Sequence, residues 1–382
     1  MVRGRNIFMK YLKITITGII MIIMSNVMLI RAEAATKTEN GYTYSTDGKS
    51  TTNKLLSSKD IIEYEVIERD VIDGGKEKNK LEDYLVDYDT HYTIPGLDKT
   101  NVLGETCETM IPQGICRLDN YTLVTAYDYK KDYNSVIYVI NTSGIVQATL
   151  VYNKKCHMGG IAFDGKYVWI AEGGEGKYKN GVGAISKSVI LEAIKISKEK
   201  GAKSIKLKNI KWTQATELES TSYCTYFDNK LWIGEFNKSK SSDIYGYITN
   251  CSGSKPTLNP CRYILTRMRT QGICFYKDSS GVYLGVSRSY GRTSNSEIRC
   301  YKLDDYYAPE FRYNGVPELW LETAYREIIL PPMLEQITVY GVFMYAIFES
   351  AAVPYVDGSD GKGRAERVMT NFCILKAESI FK

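Results

Sequence analysis

The chain has 382 residues, of which 44% are apolar, and a formal net charge of +5. Residues 1–34 carry five basic residues and one acidic residue, so this short segment accounts for most of the net positive charge. The rest of the chain is close to neutral and has no basic stripe interleaved with aromatic residues, which argues against a nucleic-acid-binding surface. The apolar fraction is large enough to fill the core of one large domain.

The N-terminal segment is typical of an export signal. Basic residues precede an apolar stretch over residues 14–30, and Ala32 and Ala34 follow at the spacing of a cleavage site. This pattern predicts a signal peptide over residues 1–34 and a secreted or cell-surface bacterial protein with no membrane span after cleavage. An uncleaved membrane anchor is the alternative, because the apolar stretch approaches the length of a short span. Residues 35–58, rich in small and polar residues, are predicted to be a flexible tether.

One sequence phrase is repeated along the rest of the chain. Its five copies begin at Gln113, Met158, Ser222, Gln271 and Glu335. Each copy contains a short apolar run, a turn, and a second apolar run that ends in a polar residue, as in residues 160–172. Runs of this length separated by Asp-Gly, Asp-Asn or Gly predict β-hairpins.

Further strands are predicted after these hairpins. Third strands are expected at residues 135–141, 244–249, 298–303 and 372–375, and fourth strands at residues 145–152, 204–208, 262–267 and 319–323. Four-stranded units repeated every 45–65 residues or so predict an all-β fold, a five-bladed β-propeller over residues 59–382. The last unit lacks a fourth strand, which we expect from upstream of residue 111. Residues 60–68 and 92–94 are the two candidates.

An insertion interrupts the second repeat. Residues 188–200 have the apolar pattern of a helix, and Gly201 follows as a typical C-terminal stop. A short helix is therefore predicted on an edge of the second blade, with a partner-binding role as the alternative.

The nine cysteines contain no Cys-x-x-Cys or zinc-type grouping. Several fall within apolar strand runs, where a small buried side chain is the ordinary explanation. Cys251 and Cys261 flank a proline-containing loop and are the main candidate pair for a disulfide. Cys107 and Cys116 are a second candidate pair.

Propeller topology predicts where the polar residues converge. The start of each innermost strand and the end of its antiparallel neighbour reach the same face, and ligand sites favour concave mouths with converging polar groups. The candidate ligand-binding residues at these positions are Gln113, Asp128, His157, Glu172, Glu235, Gln271, Arg288, Glu335 and Glu349. For each of them, a structural role at the rim is the alternative.

The density of acids in this set needs a compensating charge. Arg288, shared protons or a divalent Ca²⁺ or Mg²⁺ ion would relieve their repulsion. No other cofactor motif is evident. Residues 357–361 depart from the spacing of a calcium loop and predict a solvent-exposed turn.

Two parts of the sequence carry a resemblance to known propellers. Residues 160–164 followed by 168–172 resemble the NHL-type repeat, and residues 271–273 with 282–285 are a looser match. Residues 112–114, 287–292 and 349–352 together resemble a set found in secreted bacterial propeller proteins. The resemblance implies the propeller fold and includes both interaction modules and enzymes.

Two function classes follow from these observations. The first is a secreted, monomeric binding module whose acidic, tyrosine-rich mouth holds a small molecule, a glycan, a peptide or a cationic ligand. The second is an extracellular hydrolase or lyase that acts on a sugar or lactone with mouth carboxylates and a divalent metal. The absence of a catalytic signature favours the binding module.

Overall fold

The computed structural model describes residues 35–52, 61–86, 92–174 and 176–382. The predicted signal peptide and its cleavage site at Ala34 lie outside these residues. No helix within the described ranges is long and apolar enough to cross a membrane.

Strands dominate the described chain. In chain order they are β1 Lys37–Glu39, β2 Tyr42–Ser45, β3 Glu65–Asp70, β4 Lys76–Lys80, β5 Thr100–Val102, β6 Glu105–Cys107, β7 Met110–Leu118, β8 Tyr121–Asp128, β9 Val136–Ile140, β10 Val146–Val151, β11 Gly160–Phe163, β12 Tyr167–Ala171, β13 Gly181–Ser186 and β14 Ser204–Lys206. They continue as β15 Lys211–Gln214, β16 Tyr223–Phe227, β17 Lys230–Gly234, β18 Ser242–Asn250, β19 Thr257–Thr266, β20 Thr270–Asp278, β21 Gly281–Arg288, β22 Ser296–Lys302, β23 Phe311–Tyr313, β24 Val316–Glu318, β25 Arg326–Leu330, β26 Leu334–Tyr340, β27 Phe343–Phe348 and β28 Cys373–Lys376. The helices are α1 Leu81–Tyr84, α2 Lys187–Lys200, α3 Val353–Val356 and α4 Ala377–Phe381.

Five sheets surround a common centre. Their innermost strands, β7, β11, β16, β20 and β26, contact one another in sequence order, and β26 returns to β7 to close the ring. The predicted all-β propeller is therefore confirmed. Four sheets, here called the first to fourth blades, have at least four strands, whereas the last sheet has only β26, β27 and β28. The prediction of five four-stranded blades is corrected in this respect.

The N-terminal segments are distributed over several sheets. The strand β3, from the first candidate segment, pairs with β25 and extends the fourth blade. The second candidate segment lies beside the three-stranded sheet, where Thr93 bridges Asn371 and the Phe372 N–H donates to the Tyr92 carbonyl at 3.0 Å. Part of the segment expected to be a tether forms the β1–β2 hairpin, which joins the first blade through β14.

Two of the predicted fourth strands belong elsewhere. The segment predicted at residues 204–208 forms β14, which runs parallel to β10 in the first blade, and β15 completes the second blade instead. The fourth blade is completed by β25 rather than by residues 319–323. In both cases the chain makes an excursion between the third strand and the fourth, and the local apolar pattern does not show which partner the next strand chooses.

The predicted helix in the second blade is confirmed as α2. The Ser186 hydroxyl accepts from the Val189 N–H at 3.4 Å, and Gly201 ends the helix in the left-handed region with φ 62°. The buried face of α2 packs against β10 as well as β13, so the helix lies against both the first and second blades.

Cys251 and Cys261 are free thiols, so the disulfide predicted between them is absent. Cys261 lies at a bulge opposite Gly246 and donates to its carbonyl at 3.2 Å. Cys251 follows the far end of β18, several residues further along the hairpin. At about 3.3 Å per residue this separation exceeds the roughly 7 Å between Cα atoms that a disulfide tolerates. The second candidate pair, Cys107 and Cys116, also consists of free thiols.

One side chain fills the centre of the ring. Gln336 is fully buried, and its Oε1 accepts from the N–H groups of Ile115 at 3.1 Å and Ile161 at 2.9 Å. Its Nε2 donates to the carbonyls of Ile161 and Cys224, both at 2.8 Å. At Gly114, a Cβ would lie 2.7 Å from the Gln336 Oε1, so a glycine is required for this close approach. Gln336 therefore joins the first three blades to the last sheet at the axis.

Candidate functional site

A cavity of about 540 Å³ opens beside the ring centre. We call it the carboxyl cavity. It is lined by Phe236, Gln271, Ser289, Tyr290, Gly291, Arg292, Thr293, Met333, Glu335, Glu349, Tyr355, Lys362, Gly363 and Arg364. Its volume is within the range usual for small-molecule sites, about 300–1,000 Å³.

Irregular backbone pairing occurs where three polar side chains enter this region. The register shifts between Pro112 and Ile115, between Thr270 and Gly272, and between Leu334 and Ile337. These three shifts fall at equivalent copies of the repeated phrase, at Gln113, Gln271 and Glu335. A β-bulge redirects the side chains of its strand, and bulges are frequent next to functional sites.

The floor of the carboxyl cavity contains a pair of glutamic acids. Glu335 is only 4% exposed, and its carboxyl is hydrogen-bonded to that of Glu349. The Gln271 Nε2 donates to Glu335 Oε1 at 3.0 Å, while the Gln113 Nε2 donates to Glu349 Oε2 at 2.9 Å. The Tyr355 hydroxyl donates to the same Glu349 oxygen at 3.2 Å. Apart from the contact between the two carboxyls, these hydrogen bonds come from neutral groups.

This environment favours a shared proton. Burial, followed by the nearby Glu349 carboxylate, raises the pKa of Glu335 well above its usual range. Burial also raises the pKa of Glu349, to about 7, although hydrogen bonds from Gln113 and Tyr355 oppose the increase. Two carboxyls in contact cannot both ionise without strong repulsion. Glu335 is therefore the member that keeps its proton to higher pH, and it donates to Glu349 once Glu349 ionises above about pH 7.

An ion pair stands next to the glutamic acids. Arg292 donates to Asp360 through two nitrogens, one of them at 2.8 Å, and its guanidinium lies 4.7 Å from the centre of the Tyr355 ring. Tyr129 donates to the same carboxylate at 3.1 Å, and the Asp360 side chain is 3% exposed. The solvent-exposed turn predicted over residues 357–361 is thus anchored to the cavity wall by a buried aspartate.

The rim of the carboxyl cavity is aromatic and basic. Phe236 and Tyr290 are stacked with their ring centres 6.5 Å apart, and Tyr290 is 39% exposed. Lys362 and Arg364 are exposed and form no ion pair with a described residue. The mouth is therefore less acidic than the sequence suggests, because its two carboxyls share a proton and its rim carries cations.

The structure brings four of the nine predicted site residues into one hydrogen-bonded group, namely Gln113, Gln271, Glu335 and Glu349. Asp128 and His157 line a neighbouring cavity of about 270 Å³. We call this second space the histidine cavity. It is lined by Tyr127, Asp128, Lys131, Tyr133, Ser135, Lys155, Cys156, His157, Gly173, Gly174 and Tyr178.

In the histidine cavity, Asp128 has an evident structural role. One oxygen accepts from the N–H groups of Asp132 at 2.7 Å and Tyr133 at 3.0 Å, and the other accepts from the Thr109 hydroxyl at 2.5 Å. His157 is exposed on one side, and its ring packs on that of Tyr127 at 4.5 Å.

The remaining three candidates line neither cavity. Glu172 is fully buried and ion-paired with Lys154 at 2.8 Å. Glu235 accepts from the Glu219 N–H at 3.3 Å, outside the carboxyl cavity. Arg288 pairs with Glu297, which lies directly across from it on β22. The prediction that these residues share the mouth with Glu335 is therefore corrected, because each of the three side chains is held by a partner outside the carboxyl cavity.

Several residues at the site were not predicted. Arg292 occupies the place expected for Arg288, because it lies beyond the end of β21 where the chain can turn toward the cavity. The repeat itself marks Gln336 as unusual, since the equivalent position is glycine in the copies beginning at Gln113, Met158 and Gln271. Tyr355 lies in the short helix α3 and Asp360 in the loop after it, and neither segment has a counterpart in the repeat, so no sequence pattern identifies them.

Among the described residues, no group of three or more His, Cys, Asp and Glu side chains is arranged to hold a metal ion. A divalent cation at the mouth stays a prediction from the sequence. The pair has another means of limiting its charge, because Glu335 and Glu349 share a proton, and the positive charge of Arg292 partly compensates the Glu349 carboxylate.

No family model and no curated protein matches the chain. Among solved structures, it is similar to an α-L-arabinofuranosidase from Clostridium thermocellum, with 10% identity, a TM-score of 0.35, and coverage of 70% of this chain and 89% of that one. It is also similar to a GH43_1 enzyme from Xanthomonas citri, with 6% identity, a TM-score of 0.35, and coverage of 70% and 86%. A thermostable family-43 glycoside hydrolase shows 8% identity, a TM-score of 0.35, and coverage of 63% and 83%. At these values the similarity does not bear on the activity of the chain, and NHL-type membership stays a prediction.

Proposed function

We propose that the protein is an acid–base enzyme, a hydrolase or lyase, that acts on a glycan in the carboxyl cavity. The observation that carries this proposal is the contact between Glu335 and Glu349 at the cavity floor, where burial raises the pKa of both carboxyls. Strongly shifted carboxyls in a cleft are typical of catalytic acids and bases. A binding module gains nothing from a buried proton that can be transferred near neutral pH.

The two carboxyls have distinct roles. Glu335 is the protonated member and supplies a general acid, while Glu349 is ionised above pH of about 7 and supplies a general base. Gln113 and Gln271 hold the two side chains through their amide groups, at 2.9 and 3.0 Å. The amides are neutral, so they orient the carboxyls without fixing the charge of the pair.

The closeness of the pair limits the chemistry. Carboxyls of retaining glycosidases are about 5–5.5 Å apart and those of inverting enzymes about 6.5–9.5 Å apart, because the sugar stands between them. Glu335 and Glu349 are in direct hydrogen-bond contact. They therefore reach a substrate from one side, as an acid and a base that act on the same face.

A glycan suits the rest of the cavity. The Phe236 and Tyr290 rings offer apolar faces of the kind that pack on sugar rings. Around the floor, amide, carboxyl and tyrosine hydroxyl groups can hydrogen-bond to sugar hydroxyls. The same features support a second candidate function, a glycan-binding module, which would use the aromatic rim without the proton of the pair.

The test is turnover of a panel of oligosaccharides by the purified protein and by Glu335→Gln and Glu349→Gln variants. Glu235→Gln is the matched control, because Glu235 is a buried carboxyl that lines neither cavity. We expect turnover that the two cavity variants lose and the control keeps. Binding of a glycan by all four proteins with no turnover would favour the binding module, and neither binding nor turnover would contradict both functions.

A further inference from the structure

The carboxyl cavity has an excess of positive charge around its glutamic acid pair. Arg292 and Asp360 neutralise one another. The Glu335–Glu349 pair carries at most a single negative charge while Glu335 is protonated. Lys362 and Arg364 add two exposed cations, of which Arg364 interacts electrostatically with Asp357. A ligand with a carboxylate would complement this rim.

The histidine cavity has the same sign of charge. Lys131 and Lys155 lie on its wall, and Asp128, the only carboxylate among the described residues that line it, is occupied by the hydrogen bonds of its own loop. Lys155 forms no ion pair in the described chain, whereas the adjacent Lys154 is paired with Glu172. The cavity therefore offers a cation to a ligand.

The two cavities adjoin. Tyr127 lines the histidine cavity, and its hydroxyl is hydrogen-bonded to that of Tyr355, which lines the carboxyl cavity. Two residues further along, Tyr129 donates to Asp360, the partner of Arg292. A hydrogen-bonded tyrosine pair therefore stands between the two cavities, and a chain molecule that crosses over this pair would meet a second space with aromatic and cationic walls.

We propose, building on the acid–base function above, that the two cavities are adjoining subsites for a uronate-containing oligosaccharide, which the Glu335–Glu349 pair cleaves by β-elimination. Repeated carboxylates along such a chain match cations in both cavities. A uronate also has a C5–H bond next to its carboxylate, and nearby cations make that hydrogen more acidic by stabilising the charge that develops when it leaves.

The reaction needs no added water or oxidant. Glu349 removes the proton from C5, the electron pair of that bond forms the C4–C5 double bond, and the C4–O bond to the leaving sugar breaks. Glu335 gives its proton to the departing oxygen. One proton is taken and one is given, so the pair ends with the proton exchanged from Glu335 to Glu349. Acid and base act on one face, as their direct contact requires.

The first experiment compares oligomannuronates, in which the C5–H and C4–O bonds lie on the same face of the ring, with neutral xylo-oligosaccharides of equal length. Cleavage is followed by the ultraviolet absorbance of the unsaturated uronate and, separately, by new reducing ends. We expect both signals with the uronates only, and loss of both in Glu335→Gln. Reducing ends without the absorbance would show hydrolysis and overturn the elimination. Cleavage of the neutral glycans alone, dependent on Glu335, would overturn the substrate class and leave the proposed function standing. No cleavage of either class would overturn both.

The second experiment tests the histidine cavity as a subsite. Lys155→Ala should raise KM for a hexamer by about 2–5-fold, which corresponds to the free energy of one exposed ion pair, and should leave KM for a dimer unchanged. Lys206→Ala is the matched control, since Lys206 is an exposed lysine on β14 outside both cavities. In contrast, the double variant Lys362→Ala, Arg364→Ala should raise KM for every chain length. Equal KM changes for dimer and hexamer in Lys155→Ala, or no change in either, would overturn the second subsite.

Discussion

Two buried carboxyl sites in this propeller have opposite surroundings. Glu172 is fully buried in the second blade, where it accepts from Lys154 at 2.8 Å, from the Tyr152 hydroxyl at 2.6 Å and from the Trp212 indole N–H at 2.9 Å. Among the described residues, Glu335 and Glu349 have no cation in contact, and they are held by amides, a tyrosine and each other. Both sites come from polar residues at the ends of the repeated strands.

The difference separates structural from functional burial. A buried carboxylate that contacts a cation and several donors is satisfied as an ion, so it stabilises its surroundings only while it stays charged. A buried carboxyl with neutral partners keeps a proton that it can release, at some cost in stability at high pH. Position in the repeat does not distinguish the two cases. The partner does.

The largest effect is expected on activity at the Glu335–Glu349 pair. Glu335→Gln removes the transferable proton while keeping a hydrogen-bond donor, so turnover should fall about 10²–10⁴-fold with little change in melting temperature. Initial rates and thermal unfolding of the same preparation measure both quantities. A variant that unfolds easily yet keeps full activity would assign the pair a structural role.

Glu172→Gln should have the opposite effect. It leaves the Lys154 ammonium without its partner, and we expect the free energy of unfolding to decrease by up to about 3 kcal/mol, the lower end for a broken buried pair, because Lys154 is still 21% exposed. Activity of the folded fraction should be unchanged. Denaturant unfolding measures the loss, and the double variant Glu172→Gln, Lys154→Met should recover part of it.

The pH dependence of stability provides a further contrast. The pKa of Glu349 is raised to about 7 in the folded protein, whereas an exposed glutamate titrates at about 4.3. The folded state therefore binds the extra proton, and the stability this provides is complete below about pH 4.3 and lost as the pH rises through about 7. Glu335 also keeps its proton in the folded state over this interval, so the folded pair holds up to two protons that the unfolded chain has lost, and the slope should be at most about 2.7 kcal/mol per pH unit.

This dependence is measured as the difference in unfolding free energy between the wild-type protein and the double variant Glu335→Gln, Glu349→Gln. The difference isolates the pair from other titrating groups. The wild-type protein should lose stability relative to the double variant as the pH rises from about 5 to about 8. A difference that is flat over this interval would contradict the raised pKa of Glu349.

The smallest effect is expected from single hydroxyls. Tyr355→Phe removes a donor to the Glu349 carboxylate, so the pKa of Glu349 should rise further, and the acid limb of kcat/KM should move up by about 0.5–1 pH unit. Tyr152→Phe removes a donor to Glu172 and should lower stability by about 1 kcal/mol without moving the pH profile. A shifted profile in Tyr152→Phe would show that the two sites are not independent.

The local elements of this protein are determined by its sequence. Alternating apolar runs separated by Asp-Gly and Asp-Asn turns specify hairpins, and the five copies of one phrase specify a propeller. The α2 helix is likewise local, since Ser186 and Gly201 provide its two caps. Such features depend on neighbours within a few residues, so periodicity is enough to identify them.

Partner choice is decided only by the tertiary structure. The segments around β3, β14 and residues 92–94 all look like edge strands, and which sheet each one joins depends on the path of the intervening chain. The disulfide predicted between Cys251 and Cys261 is absent for the same kind of reason, because the strand register separates the two residues.

The candidate site divides along the same line. Sequence position places Gln113, Gln271, Glu335 and Glu349 at equivalent strand ends, and the bulged backbone brings them together. It cannot show that Glu172 is neutralised by a lysine or that Arg288 is held by Glu297, because these contacts depend on side chains that meet only after folding. Arg292, Tyr355 and Asp360 come together only in the folded chain, and no position in the repeat predicts them. Short-range periodicity fixes where strands begin and end, whereas charge neutralisation depends on which long side chains come within a few ångströms of one another.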